Sequence, residues 1–142
     1  MRTRLSPILA ACVVLAAACA SGPKRPASVA APAIEVRLEH NIFFGTSTTA
    51  PATVDVLLHN YANVPIMIRR ASVTSPAMGQ FSILTATHDF HEVIPPGGTG
   101  RVSIYTSATR TVDDPSEPLT LRATVELEAA GTRWRQIVTS RQ

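Results

Sequence analysis

The chain has 142 residues, of which 45% are hydrophobic, and 13 Lys and Arg against 10 Asp and Glu give a formal charge of +3. Arg2 and Arg4 belong to an N-terminal leader, and after residue 18 there are 11 basic and 10 acidic groups, a balance that removes the electrostatic case for a nucleic-acid partner. Both cysteines, Cys12 and Cys19, lie at the same end, so the rest of the chain must fold in an oxidising compartment without a disulfide.

The leader comes first. Behind Arg2 and Arg4, residues Leu5 to Ala18 form an apolar run broken only by Ser6 and Pro7, the layout of a secretory signal. At about 14 residues it is shorter than the roughly 20 a helix needs to cross the hydrocarbon core, so residues 1–18 are expected to be a signal peptide and not a permanent span. Ala18-Cys19-Ala20 satisfies the small-x-small rule of ordinary cleavage, which would release a soluble secreted or periplasmic protein starting at Ser21. The same residues, with Ala16, Ala17 and Ala18 before Cys19, resemble a bacterial lipoprotein signal. That resemblance implies that Cys19 becomes the first residue and carries fatty acyl chains such as palmitate. It departs from the pattern at Ala16, where a large aliphatic residue is usual. Leu9-Ala10-Ala11-Cys12 matches more literally, but cleavage there would strand Val13-Val14-Leu15 in the mature chain. With Ala rather than Asp at position 20, the resemblance implies sorting to the outer membrane where a cell has two. Residues 19–33, rich in Ala, Pro and Ser, read as the attachment cysteine and an irregular tether.

Residues 34–142 hold no sustained 3.6-residue apolar period, whereas period-two runs recur between turn signals, which predicts an all-β domain. "IEVRLE" places Ile34, Val36 and Leu38 on one face, and "TVDVLLH" does the same with Val54, Val56 and Leu58. "NYANVP" reads as a turn, since Asn60 and Asn63 tolerate left-handed backbone and Pro65 is excluded from a central ladder. In "IMIRRASV" the phase slips between Ile66/Ile68 and Ala71/Val73, which predicts a bulge near Arg69-Arg70. "FSIL", "HDFHEVI" and "RVSIYT" are further strands, with "PPGGTG" as turn chemistry. "LTLRATVELEAAGTRWRQIVTS" predicts a hairpin in which Leu127 opposes Trp134, Glu128 opposes Arg133 and Glu126 opposes Arg135. About seven strands with turns near every tenth residue favour an antiparallel two-sheet sandwich.

"VDVLLHNYANVPIMIRRASV" followed by "IPPGGTGRVSIY" resembles bacterial immunoglobulin-like domains over about half of the domain, which implies an immunoglobulin-like β-sandwich and says little about ligand. Asn60 and Pro65 also keep the spacing of the first Asn and last Pro in the Asn-Pro-Asn-x-x-Pro motif of LEA14-type desiccation-related domains, whereas Tyr61 and Ala62 replace its middle residues. That second resemblance implies a stress-protective role as the alternative.

Chemistry is sparse. In "HDFHE" a strand sends His88 and Glu92 to one face and Asp89 and His91 to the other, so the cluster does not converge on a metal, and His40 or His59 could complete a site only through the tertiary fold. This cluster is all that motivates a small metal-dependent enzyme. "PPGGTGR" lacks the Lys-Ser/Thr ending of a phosphate loop and precedes a strand. There is no Gly-x-Ser-x-Gly elbow, and Asp113, Asp114 and Glu117 sit in a proline-punctuated loop that reads as a solvated turn. Trp134, between Arg133 and Arg135, is in phase with the core. The sequence therefore predicts a non-catalytic binding or scaffolding module without a cofactor, metal or small-molecule substrate, whose partners are the membrane, through a lipid anchor, and another envelope protein. Recognition in a sandwich falls to end loops or open edges, and the candidates are the irregular segments Phe43 to Ala52, with Phe43 and Phe44, and Thr106 to Pro118, with Asp113 and Asp114.

Overall fold

The computed structural model describes residues 22–76, 79, 81–110 and 118–142. The alternating runs form eight strands: β1 (Ala33–Leu38), β2 (Thr49–His59), β3 (Ile66–Thr74), β4 (Phe81–Ile83), β5 (Ala86–Ile94), β6 (Thr99–Arg110), β7 (Thr120–Ala129) and β8 (Thr132–Arg141). They pair antiparallel into two four-stranded sheets, ordered β1-β2-β6-β4 and β5-β3-β7-β8. β1 packs across β8 and β5 across β6, so the sheets lie face to face as an immunoglobulin-like sandwich.

The period-two pattern sets which face is dry. Val54, Val56 and Leu58 of β2, Ile104 of β6, Ile66 and Ile68 of β3, and Leu121, Val125 and Leu127 of β7 all point into one core and are fully buried. β3 carries the expected irregularity. Its register shifts between Ile68 and Arg70 against both neighbours: against β7 the extra residue is in β3, whereas against β5 Phe90 and His91 together oppose Arg69. The bulge lets Ile68 and Ala71 both face inward and turns Arg69 and Arg70 to the outer face. The β7–β8 hairpin has the expected register, with Leu127 opposite Trp134 and both glutamates opposite arginines. Its two-residue loop places Ala130 at φ 49° and Gly131 at φ 73°, the two left-handed positions of a type I′ turn.

Three expectations need correction. About seven strands become eight among the described residues, since every run read from alternation forms a strand, "FSIL" included as the three-residue edge strand β4. The irregular tether does not extend to Ala33: Pro26 and Val29 form a turn, Arg25 donates to the Val29 carbonyl, and the Val29 side chain is 1% exposed in the core. One buried valine outweighs the loop composition around it, since burying such a side chain is worth about 2 kcal/mol. The segments Phe43 to Ala52 and Thr106 to Pro118 are also less irregular than expected. Residues Thr49 to Ala52 pair with Thr106 to Thr109 and lengthen the β2–β6 ladder, and Pro51 is accommodated within it.

Candidate functional site

At one end of the sandwich, β2 leads into β3 and β5 leads into β6. Asn60 joins these connections. Its side chain is fully buried, and its amide nitrogen donates toward the Val64, Ile94 and Pro95 carbonyls at 2.9, 3.0 and 3.2 Å. Its amide oxygen accepts from the Ala62 N–H at 2.8 Å, while its backbone exchanges hydrogen bonds with Gly97 and Gly98. Gly97, at φ 70°, is the third residue of the Pro95–Gly98 turn, closed by the Gly98 N–H to the Pro95 carbonyl. The left-handed backbone expected of Asn60 and Asn63 is absent, because Ala130 is the one non-glycine residue with positive φ among those described. Asn60 is used for its amide. The Asn-turn-aliphatic and Ile-x-Pro-Gly phrases are thus two halves of one clasp that ties the β2–β3 and β5–β6 connections together.

The other end holds the expected recognition loop. Between β1 and β2 the chain turns at Phe44, whose carbonyl accepts from the Ser47 N–H, with Gly45 at φ 54°. Phe44 packs inward, 5.7 Å from the Phe81 ring, with the Arg110 guanidinium 5.1 Å above it. Phe43 points the other way and is 88% exposed. Arg110 ties this loop to the end of β6, since its N–H bonds the Thr48 carbonyl and its side chain reaches the Gly45 carbonyl. Beside the loop lies a cavity of about 270 Å³ lined by Leu38, Ile42, Phe81, Pro118 and Leu119. Asp113, Asp114 and Glu117 lie outside the described residues. Arg110, the last residue of β6, lies beside the Phe43 loop.

The remaining candidates are structural. His88 and Glu92 face one side of β5 and Asp89 and His91 the other, and among the described residues no three His, Cys, Asp or Glu groups converge on a metal position. Asp89 instead meets Arg70 at 2.5 Å, and this hydrogen bond holds its carboxyl below the ordinary range. On the same outer face Glu128 binds Arg69 and Arg133, and Glu126 binds Arg135. Trp134 is 4% exposed in the core, and its indole N–H has no acceptor among the described residues.

Sequence reasoning missed Asp55, which is 1% exposed although it lies on the outer face of β2. Ser103 donates to it at 2.7 Å and Arg101 at 3.4 Å from the neighbouring strand β6. Alternation alone labels Asp55 as solvated. Only the register, which sets it opposite Ser103, reveals its partners.

No family model matches the chain, and no curated protein matches it. Among solved structures, the Northeast Structural Genomics Consortium target SoR45 aligns at a TM-score of 0.52 with 12% identity, over 78% of this chain and 84% of that one. The GAE domain of yeast GGA1 aligns at a TM-score of 0.50 with 13% identity, over 85% of this chain and 96% of that one. At such identities the likeness is one of fold, and it agrees with the immunoglobulin-like arrangement of the two sheets.

Proposed function

We propose that this protein is a non-catalytic binding module of the cell envelope, anchored by acyl chains on Cys19 and recognising another envelope protein through the loop end that carries Phe43. The observation that carries the reading is the placement of the two ends. Gly22 and Pro23 meet the body beside Glu126, Arg133 and Trp134, near the β7–β8 hairpin, and β1 starts opposite His59. The Phe43 loop follows the far end of β1, and the eleven residues of β2 separate the two ends by about 35 Å. An acylated Cys19 therefore holds the domain close to a bilayer and presents Phe43 away from it. Gly22, where the chain meets the body, is three residues from Cys19, a reach of about 9 Å when extended. Two or more acyl chains give stable attachment where one gives marginal binding.

The test has two parts. Intact-mass analysis of the mature N-terminus should find Cys19 with acyl chains, and Cys19→Ser should leave the precursor unprocessed or release the protein. A mature chain beginning at Ser21 and recovered in the soluble fraction overturns the anchor. Cross-linking in the envelope followed by affinity capture should recover a protein partner whose yield falls at least tenfold with Phe43→Ala. Unchanged recovery with that variant misplaces the binding end.

A further inference from the structure

A sandwich of two open sheets has four edge strands, and each must be protected from pairing with another chain. Three of them are. β4 is three residues long, and the Ile83 N–H is taken by the Ser75 hydroxyl. β1 is closed by Gln142, whose side chain accepts from the Leu38 N–H and donates to the Val36 carbonyl. β8 carries Arg133, Arg135 and Arg141, which oppose any self-pairing by like charge. β5 has none of these devices. It is nine residues long, its register against β3 shifts across Phe90 and His91, and Thr87, Asp89, His91, Glu92 and Val93 are exposed along it.

The sequence of this edge, Thr87-His88-Asp89-Phe90-His91-Glu92-Val93, is complementary to itself when reversed. We propose that two copies of this chain pair antiparallel through β5, with Phe90 on the twofold axis. That register sets Asp89 opposite His91 on the outer face and His88 opposite Glu92 on the inner side, and symmetry doubles both pairs. Thr87 then meets Val93, covering a side chain that is 52% exposed in the single chain. The two sheets join into one eight-stranded sheet, and the isologous contact closes on itself without leaving a further β5 edge to propagate. A register shifted by two residues would lose the histidine–carboxylate pairs, so charge specifies the alignment.

The interface responds to pH through histidine. His91 is faced by Arg69 and Arg70 from β3, Glu126 from β7, Arg133 from β8 and Asp89 from its own strand. His88 faces Ala71 of β3 and stacks 6.2 Å from Phe90, and β6 presents apolar Val102 and Ile104 to the core. Pairing sets a carboxylate of the second copy beside each histidine, so the contact is stronger in acid, where imidazoles carry charge, than in base.

The alignment is tested on the full chain in mild detergent, with Cys12→Ser and Cys19→Ser to remove background thiols. Thr87→Cys chains mixed with Val93→Cys chains should form a mixed disulfide dimer on oxidation, and neither variant should do so alone. No mixed product, or an equal yield from one variant alone, overturns the alignment. Sedimentation should show dimerisation tightening about tenfold between about pH 8 and about pH 5.5. Glu92→Lys should weaken it, and His88→Glu combined with Glu92→Lys should restore it at both pH values. A chain that stays monomeric at about 0.1 mM throughout, or a double variant no better than the single one, overturns the proposal.

Discussion

Replacing Asn60 by Ala tests whether the buried amide holds the two chain connections together. One NH2 group has two hydrogens, so the three carbonyls at 2.9, 3.0 and 3.2 Å share two donated bonds, and the amide oxygen accepts a third from Ala62. At about 1 kcal/mol net per bond the variant loses about 3 kcal/mol, and the buried N–H and carbonyls left behind make this a lower figure. Unfolding entropy of about 2.1 cal/mol/K per residue over roughly 115 ordered residues gives about 0.24 kcal/mol/K, so the melting temperature should drop by about 12 °C. Calorimetry or circular dichroism on the soluble domain reads this directly. Asn60→Asp sharpens the test, since it keeps the acceptor for Ala62 and turns the donor into a carboxylate facing carbonyls. Its folded pKa must then lie above the unfolded value, so the protonated form is favoured in the folded state. The variant should melt below Asn60→Ala at pH 7 and gain stability as pH falls through the folded pKa toward the unfolded one. A drop under about 4 °C for Asn60→Ala, or an Asn60→Asp chain indifferent to pH, would refute the clasp.

Further outcomes follow from single residues. Ala130→Asn should raise stability by about 0.5 to 1 kcal/mol in urea titration, because φ 49° is costly for Ala and tolerated by Asn. Gly100→Ala should cost about 1 to 3 kcal/mol by the same measurement, since the new Cβ would stand 2.5 Å from Ile94 Cγ1. Trp134→Phe should cost less than about 1.5 kcal/mol because it removes an N–H with no partner among the described residues along with some packing, whereas Trp134→Ala should cost about 3 to 5 kcal/mol. Asp89→Asn removes a solvent-exposed pair with Arg70, so melting curves should differ little near neutrality. Any stability the pair adds is present above the unfolded carboxyl pKa and fades as pH falls through the depressed folded one, where the two curves should converge.

Strand faces, the β3 bulge and the hairpin register were legible because they depend on parity. Inside and outside are decided residue by residue, and a misplaced apolar side chain such as Ile68 or Val73 breaks the pattern visibly. Val29 was not legible, because a lone valine among Ala, Ser and Pro has no period, and its burial depends on a surface supplied by distant strands. Asn60 was read through its backbone tolerance, since sequence cannot show that a turn 34 residues away offers carbonyls to its amide. At the loop end, the adjacency of Phe43 and Phe44 implied one inward and one outward ring. Which of them faces out was fixed by Phe81 and Arg110.

The direction of β1 has a mechanical consequence. The chain enters it at Ala33 from the side of Cys19 and leaves it at Leu38 toward Phe43, so a pull between an anchored Cys19 and a partner held at Phe43 runs along this one strand. Its six residues pair with β2 from Ala33 opposite His59 to Leu38 opposite Val54, and because the two pulls act on opposite ends of this same strand, its covalent backbone carries the tension and the bonds to β2 are spared. Gln142 adds side-chain bonds at Val36 and Leu38 on the opposite edge, and Val29 is a buried plug on the anchored side. The same domain pulled between its β7–β8 turn and Cys19 would leave β1 unloaded beyond Ala33. Direction of load, set by where the chain enters, decides whether this sandwich behaves as a rigid link or as a yielding one.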